Sequence, residues 1–316
     1  MYDITAMGEL LIDFTPYGRS EAGRQLYEEN PGGAPANVLA AASKLGLKTA
    51  FIGKVGYDMQ GQLLRETLEE NGISTDGLLM DPDVFTTLAF VQLRGAERSF
   101  SFARKPGADT MIREDEVDAD LIRDSYIFHF GSLSLTDEPA RSATHYAVSC
   151  ARDAGAIISY DPNYRAPLWK SREEAVEKMR SVIHDIDIMK VSDEETGLLT
   201  GKDDPAGAAG VLLEKGVKIL VITLGSRGAM LATPKFSVTA ASRPVDVVDT
   251  TGAGDSFWGD FLSRIAAEKV KPAQITRDQA EQFLHYANTV AGLCVGKRGA
   301  IPAMPTAEEV RKALMA

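Results

Sequence analysis

The sequence has little cysteine and no long hydrophobic run. Its 316 residues include only two cysteines, Cys150 and Cys294, and these do not form a C-x-x-C pair. We therefore expect two buried thiols, without a disulfide framework or a zinc knuckle. No stretch of eighteen apolar residues occurs, which argues against a transmembrane helix. Residues 1–14 lack the basic flank and cleavage site of a signal peptide, so we expect a cytoplasmic protein without a membrane partner.

Positive charge is also scarce. The chain has 34 Lys and Arg residues against 45 Asp and Glu residues, which gives a formal net charge of -11. Nucleic-acid binding depends on a basic surface that releases counterions from phosphates, so we expect no nucleic-acid partner. A small anionic substrate such as a nucleotide is compatible with this charge, because backbone dipoles, a few cations and a bound metal can supply local positive potential.

Short apolar, β-branched runs alternate with helical patterns along most of the chain. This alternation is typical of βα units around a mainly parallel sheet, and it predicts a doubly wound α/β fold. The predicted strands are residues 4–7, 50–52, 126–130, 156–160, 186–189 and 219–222. The predicted helices between them are residues 36–45, 61–71, 141–154, 173–184 and 206–215.

Two segments, residues 10–30 and 85–108, depart from this alternation. The second segment alternates apolar and polar residues around a turn at residues 94–96, which predicts a hairpin. We expect both segments to form exposed antiparallel strands of one small sheet, a lid over the edge of the core. No repeat, linker or shift of composition marks a second domain, so a single domain over residues 1–316 is expected.

The segment "DTTGAGDSFWGDFL", residues 249–262, combines a glycine turn with the start of a helix. It follows an apolar run at residues 245–248. The N–H groups and the dipole at a helix N-terminus bind anions, and glycines let a phosphate approach the backbone closely. A carboxylate there would repel the anion itself, but it suits a general base for a hydroxyl that attacks a phosphoryl group. Asp255 is therefore the predicted base; the alternative is an ordinary N-cap.

A second glycine patch, "NPGGAPANVLAAASKLG", covers residues 30–46. Gly32 and Gly33 allow a ligand to contact the main chain, and Asn37 interrupts an apolar helix face. The alternative for Asn37 is a buried, hydrogen-bonded side chain. The Walker A pattern, the dinucleotide fingerprint and the protein-kinase signatures are all absent from the sequence.

Together, these two segments resemble the two signatures of the ribokinase-like, or phosphofructokinase-B type, sugar kinases. The segments "GKVGYDMQG", "KVSDEETGLLTG" and "TLGSRGA" are similar to this family as well. The resemblance implies an α/β core with a small β-sheet lid that closes over the sugar and serves as a homodimer interface. It also implies transfer of a phosphoryl group from ATP to a sugar hydroxyl.

The resemblance further implies roles for individual residues. Asp255 would be the catalytic base, and the amides of Gly252, Ala253 and Gly254 would form the anion hole. The residues that would hold the sugar hydroxyls are Asp13, Gly32, Gly33 and Asn37. The residues that would contact the nucleotide are Lys190, Ser192, Thr223, Gly225, Gly228, Gly252, Gly254 and, near the adenine, Asn288.

Two ions are implied by the same resemblance. Glu195 matches the acid of the family's N-x-x-E motif, which helps to place Mg²⁺ through water, although Ser192 stands where the motif has Asn. The alternative for Glu195 is an acidic, solvated helix N-terminus. Asp249 and Thr251 match the positions that bind K⁺, and Ala303 stands where some relatives have a serine.

The segment "SYDPNYRAPLW", residues 159–169, is similar to a segment of bacterial and plant fructokinases. Arg165 follows a strand end, where its guanidinium could brace a phosphate or sugar oxygens; the alternative is a surface ion pair. Fructose is therefore the expected substrate. The closest alternative is 2-keto-3-deoxygluconate, whose carboxylate Arg104 in the lid could bind. Ribokinase or nucleoside kinase activity, and a non-catalytic sugar or nucleotide sensor, are the lesser alternatives.

Overall fold

The described residues, 1–94 and 97–315, form 13 strands and ten helices in the computed structural model. The strands are β1 (Tyr2–Met7), β2 (Leu11–Arg19), β3 (Gln25–Gly32), β4 (Thr49–Gly56), β5 (Ile73–Asp81), β6 (Leu88–Arg94), β7 (Glu97–Ala103), β8 (Ser125–Gly131), β9 (Ile157–Asp161), β10 (Ile188–Ser192), β11 (Ile219–Thr223), β12 (Ala229–Ala232) and β13 (Ser237–Ala240). The helices are α1 (Ala34–Lys44), α2 (Met59–Glu70), α3 (Ala119–Arg123), α4 (Ala140–Ala154), α5 (Arg172–Ser181), α6 (Asp193–Thr200), α7 (Pro205–Glu214), α8 (Ala253–Ala267), α9 (Arg277–Val295) and α10 (Ala307–Met315).

Nine strands form one large sheet in the order β13-β12-β11-β10-β9-β8-β1-β4-β5. The strands from β11 to β5 are parallel, and β12 and β13 add an antiparallel edge. All six predicted strands and all five predicted helices are present, which confirms the α/β expectation. β5 was not predicted, because "ISTDGLLMD" contains turn-forming residues that an edge strand with a bulge tolerates.

Apolar side chains cover both faces of the large sheet. One cluster packs α1, α8 and α9 against the sheet, with Trp258 and Phe261 of α8 stacked at 5.2 Å between ring centroids. The other cluster packs α4, α5 and α7 against the opposite face. Both cysteines are buried and unpaired, as expected. This packing holds α8 rigidly, and α8 therefore carries the glycine turn at its N-terminus in a fixed place.

The two segments that depart from the βα pattern form a small sheet of four strands in the order β3-β2-β6-β7. β2 pairs with β3, and β6 with β7, in the expected antiparallel manner. β2 and β6 are parallel, however, so the expectation of an all-antiparallel sheet was wrong. β2 follows β1 and β6 follows β5, and β1 and β5 run in the same direction in the large sheet, so both connections start from the same edge of that sheet. Gly95 and Ala96, at the predicted turn, lie outside the described residues.

The apolar run at residues 245–248 belongs to a segment without regular secondary structure. Val247 and Val248 in this run are exposed to solvent. The run leads directly into the glycine turn before α8, so it borders the site but does not belong to the core. Within the part of the chain that the structure describes, no helix is both long and apolar enough to cross a membrane.

Candidate active site

A cavity of about 800 Å³ lies between the carboxyl ends of the parallel strands, the N-terminus of α8 and the small sheet. Ligands of α/β sheets bind at this edge. Most of the predicted site residues line this one cavity, although they come from distant parts of the chain. They are Asp13, Gly33, Asn37, Arg104, Arg165, Lys190, Ser192, Glu195, Thr223, Thr251, Gly252, Ala253, Gly254 and Asp255.

The glycine turn is shaped for an anion by its backbone. Gly252 has a left-handed φ of 76°, and a Cβ there would lie 3.0 Å from the Cβ of Ala300. α8 begins at Ala253, so the N–H groups of its first turn lack carbonyl partners within the helix. The N–H of Ala253 reaches the carbonyl oxygen of Thr250 at 3.3 Å, which is a long bond. The turn therefore presents donors and the positive end of the helix dipole to the cavity.

Asp255 lies in the first turn of α8, where its half-buried carboxylate faces the cavity. Its Oδ2 accepts a hydrogen bond from Nδ2 of Asn37 at 2.7 Å. The N-cap of α8 is Gly252, so the alternative that Asp255 is an ordinary N-cap is wrong. Asn37 is a hydrogen-bonded side chain, and its partner is the predicted base.

The surroundings of Asp255 raise its pKa above the ordinary value. Burial is the main cause, and the charge of Asp161 adds to it, whereas Lys190, the Asn37 hydrogen bond and Arg165 act in the opposite direction. A carboxylate with a raised pKa is a stronger base, and a general base works best when its pKa approaches the working pH. The environment thus suits the predicted proton acceptor.

Beneath the glycine turn lies a buried ion pair between Lys190 and Asp161. A Cβ on Gly254 would lie 3.3 Å from Nζ of Lys190, which places the ammonium directly under the predicted anion hole. Burial alone would lower the pKa of Lys190, but the carboxylates of Asp161, Glu195 and Asp255 outweigh it and raise the pKa. The ammonium therefore stays charged. Asp161 was not among the predicted site residues, because an Asp-Pro-Asn segment after a strand is typical of a simple turn.

The second glycine patch lines the part of the cavity next to Asp255. Gly33 has a φ of 125°, and a Cβ there would lie 2.3 Å from the carbonyl oxygen of Glu9, so only glycine fits. Gly32 lies beside the cavity, and a Cβ on it would be 3.0 Å from Oδ2 of Asp13. Oδ1 of Asn37 is buried and has no hydrogen-bond partner among the described residues. These groups surround the space next to Asp255.

Arg104 lines the same end of the cavity, but its guanidinium is already occupied. Nε donates to Asp109 at 2.8 Å, Nη1 donates to Oγ1 of Thr136 at 2.9 Å, and Nη2 donates to the carbonyl oxygen of Leu133 at 2.8 Å. Nη2 also lies 2.7 Å from the Asp109 carboxylate. The side chain is buried, and Asp109 neutralises its charge. Its hydrogen bonds to Thr136 and Leu133 hold the end of β7 against the core.

Arg165 differs from Arg104 in both exposure and partners. It is exposed, it lines the cavity, and Nη1 donates only to the carbonyl oxygen of Tyr164 at 3.1 Å. No ion pair with any described residue involves Arg165, so the surface ion pair considered as its alternative is not formed. Its charge is close enough to lower the pKa of Asp255. The guanidinium is therefore available to an anionic ligand in the cavity.

Glu195 is buried, and both of its oxygens accept hydrogen bonds. Oε1 accepts from the N–H of Tyr164 at 2.7 Å, and Oε2 accepts from the N–H and Oγ of Ser192 at 2.8 and 2.9 Å. Ser192 and Glu195 form the capping box of α6. Glu195 is thus not a solvated residue of a helix N-terminus, and both of its carboxylate oxygens are already hydrogen-bonded within the chain. Across the described residues there is no cluster of three His, Cys, Asp or Glu side chains that could hold a metal ion.

Five predicted residues are not among those that line the cavity: Gly32, which lies beside it, and Gly225, Gly228, Asp249 and Asn288. A Cβ on Gly228 would lie 2.1 Å from the carbonyl oxygen of Ala240, and Nδ2 of Asn288 donates to the same oxygen at 3.0 Å. Oδ1 of Asp249 accepts from the N–H and Oγ1 of Thr251, and Oδ2 accepts from the N–H of Gly299 at 3.1 Å.

Glu9 is a further cavity residue that sequence reasoning missed. It is buried, and Oε1 accepts a hydrogen bond from the N–H of Ala34 at 2.9 Å. Its position just past the end of β1 was the signal that could have identified it, because cavities of α/β sheets lie at strand ends.

Comparisons with known proteins agree with this geometry. Residues 1–307 match the model of the pfkB family carbohydrate kinases. The chain is 44% identical over 317 residues to "Probable fructokinase-4" of Arabidopsis thaliana, covering 98% of this chain and 96% of that protein. Among solved structures, the fructokinase of Xylella fastidiosa with bound ATP superposes with a TM-score of 0.93 at 32% identity, over 99% and 98% of the two chains.

A double-mutant fructokinase from Vibrio cholerae O395, solved with fructose, ADP and a potassium ion, superposes with a TM-score of 0.88 at 30% identity, over 99% and 98% of the two chains. The family match spans nearly the whole chain, and it confirms the resemblance that the two glycine segments indicated. The chain belongs to the pfkB family of carbohydrate kinases.

Proposed function

We propose that this sugar kinase transfers the γ-phosphoryl group of ATP to the primary hydroxyl of D-fructose that yields fructose 6-phosphate. The observation that carries the proposal is the contact between Asn37 and Asp255, because it joins the two glycine segments around one carboxylate of raised pKa. The names of the similar fructokinases support fructose as the acceptor.

In this proposal the groups around the cavity have separate roles in the reaction. Asp255 accepts the proton of the attacking hydroxyl, while Asn37 holds the carboxylate in its orientation. The first-turn amides of α8 donate to the phosphoryl oxygens as negative charge develops on them. Arg165 can bind phosphate oxygens from the open side, and Lys190 supplies positive charge from below.

A neutral sugar suits the acceptor end better than a sugar acid does. The alternative substrate, 2-keto-3-deoxygluconate, carries a carboxylate that would need a free cation. Arg104, the residue considered for this task, is already paired with Asp109 and hydrogen-bonded to the core. Breaking a buried ion pair to bind a substrate carboxylate would leave Asp109 uncompensated, which is costly. The contacts of Arg104 therefore favour fructose.

ATP, Mg²⁺ and K⁺ are the proposed cofactors. Mg²⁺ commonly keeps several waters and binds substrate phosphates with few protein ligands. This agrees with Glu195, whose oxygens are both held by the chain, so that it would act on the ion through water. Asp249 and Thr251 are proposed to hold K⁺, which the Vibrio cholerae structure contains. We also propose a cytoplasmic location, where ATP is available.

The test is an assay of ADP release with a panel of acceptors. We expect ADP release with fructose, ATP and Mg²⁺, and much less with 2-keto-3-deoxygluconate, ribose or adenosine. Parallel reactions in KCl and NaCl test the potassium site. Turnover with 2-keto-3-deoxygluconate above that with fructose would reverse the assignment, and binding of sugar without any ADP release would indicate a sensor.

We infer that the small sheet is a lid on a single domain that spans residues 1–316. Its strands share the cavity with the strand ends of the large sheet, so a movement of the small sheet would close the site to water. Strands β2, β3 and β6 of this sheet expose Tyr17, Leu26, Tyr27 and Phe90. Exposed apolar groups of this kind mark interaction surfaces, and we propose a homodimer through the lid.

Phe90→Glu is expected to convert this homodimer to a monomer. Phe90 stacks on Phe14 at 5.1 Å and meets Tyr27 edge-on at 6.2 Å between ring centroids, so a charge there would lie within the aromatic cluster. Sedimentation velocity gives the mass of the wild type and of the variant. Tyr146→Glu, at an exposed position of α4, is the matched control and should leave the mass unchanged. A monomeric wild type would exclude the lid interface.

A further inference from the structure

Glu9 is a buried carboxyl in the cavity wall that the proposed reaction does not use. It lies two residues after β1 and exposes only 3% of its surface. Its Oε1 accepts from the N–H of Ala34, whereas Oε2 is buried without a hydrogen-bond partner among the described residues. A buried, partly unsatisfied carboxyl costs free energy, so its presence beside an active site points to a role other than stability.

The first turn of α1 connects Glu9 with Asp255, the proposed base. Gly33, the N-cap of α1, packs against the backbone of Glu9, and Ala34, the first helical residue, donates to its side chain. One turn further along α1, Asn37 donates to Asp255. A displacement of the first turn of α1 would therefore move the donor that orients the base.

Two charged residues that follow the last strand of the small sheet affect the pKa of Glu9. Arg104 follows β7, and Asp109 lies five residues further along the chain. The charge of Arg104 lowers the pKa of Glu9 and the charge of Asp109 raises it. Arg104 itself forms an ion pair with Asp109. Glu9 consequently has no ion-pair partner of its own within the part of the chain that the structure describes. It lies between the helix that orients the base and the end of a strand of the lid.

We propose that Glu9 is a positioning residue for the acceptor site, whose ionised carboxylate holds the first turn of α1 so that Asn37 keeps Asp255 in its orientation. Protonation of Glu9 weakens this hold, because a charged carboxylate accepts a stronger hydrogen bond than a neutral carboxyl does. The inference rests on the proposed function, in which Asp255 is the base.

The pKa of Glu9 places this change near neutral pH. Burial raises it from 4.5 to about 7, against the opposing effects of the N–H groups of Glu9 and Ala34 and the charge of Arg104. The carboxyl is thus mostly neutral below pH 7 and mostly charged above it, so kcat should rise through that pH. The stability of the fold changes with pH in the opposite direction to kcat. The stability from a raised carboxyl pKa is complete below pH 4.5 and is lost as the pH rises through about 7.

The test compares the full-length wild type with Glu9→Gln and Glu9→Ala, using fructose and ATP from pH 5.5 to pH 8.5. Glutamine keeps an oxygen for the N–H of Ala34 but cannot ionise. We expect Glu9→Gln to lose the rise of kcat near pH 7 while it retains the KM for ATP. We expect Glu9→Ala to lose kcat by up to about 10²-fold, since a shift of about 1 Å in a reacting group has that effect.

Glu29→Gln, on an exposed face of β3, is the matched control and should keep the wild-type profile. Urea unfolding at pH 5 and pH 8 adds a readout without turnover: Glu9→Gln should gain stability over the wild type as the pH rises. An unchanged rise near pH 7 in Glu9→Gln, or a wild-type kcat in Glu9→Ala, would overturn the role of Glu9 alone. A wild type that phosphorylates no sugar of the panel would overturn the proposed function as well.

Discussion

Asp255→Asn is expected to lower kcat for fructose phosphorylation by about 10²–10⁴-fold, the usual contribution of a general base. Asparagine has nearly the same shape and can still accept the hydrogen bond from Asn37, but it cannot take the proton of the attacking hydroxyl. Nucleotide binding should persist, because the first-turn amides of α8 are unchanged. Steady-state kinetics gives kcat, and calorimetric titration with ATP gives the affinity.

The matched control for this variant is Asp246→Asn. Asp246 is exposed and lies in the segment just before the glycine turn, so its substitution removes the same charge from the neighbourhood without touching the cavity. We expect a wild-type kcat from the control. Full turnover in Asp255→Asn would refute the assignment of the base, and a loss of ATP binding would show that the substitution disturbs the turn itself.

Lys190→Met is expected to lower the free energy of unfolding by about 3–5 kcal/mol, the usual effect of removing one partner from a buried ion pair. Asp161 is only 1% exposed, so the loss of the ammonium leaves a buried charge without its cation. Urea unfolding monitored by circular dichroism measures the change. Activity should fall as well, because Lys190 lies directly beneath the predicted anion hole.

The double variant Asp161→Leu/Lys190→Met separates these two effects. Removing both charges should restore most of the stability, since well-packed apolar residues often replace a buried pair without loss, whereas activity should stay low. Lys218→Met is the matched control, because Lys218 pairs with Asp187 on the surface and such pairs contribute about 0–1 kcal/mol. Equal losses of stability in Lys190→Met and Lys218→Met would contradict the prediction.

Much of the core was predictable because local patterns determine it. Strands covered on both faces require continuous apolar runs, and β8 and β11 show them as "SYIFHFG" and "ILVIT". The start of α8 was predictable for a similar reason. Glycine before a helical apolar pattern predicts a turn that ends in free helix N–H groups, and Gly252 is indeed the N-cap of α8, with a left-handed φ of 76°.

Other features depend on contacts between distant segments, which local patterns do not encode. The parallel pairing of β2 with β6 depends on the strands that precede them, β1 and β5, which run parallel in the large sheet. Arg104 looked like a free cation in the sequence, but the fold brings Asp109, Thr136 and Leu133 around its guanidinium. Ser192 looked like a defect in the N-x-x-E motif, yet it completes a capping box with Glu195.

By itself, the sequence determined the α/β class, the two glycine segments and the identity of Asp255 as the candidate base, because propensity and hydrophobic periodicity act over a few neighbouring residues. Only the tertiary structure decided which groups meet. Asn37 and Asp255 are 218 positions apart, and Glu9 reaches Asn37 only through the start of α1. Hydrogen bonds and charges act over a few ångströms of space, so their effects appear only once packing has brought distant segments together.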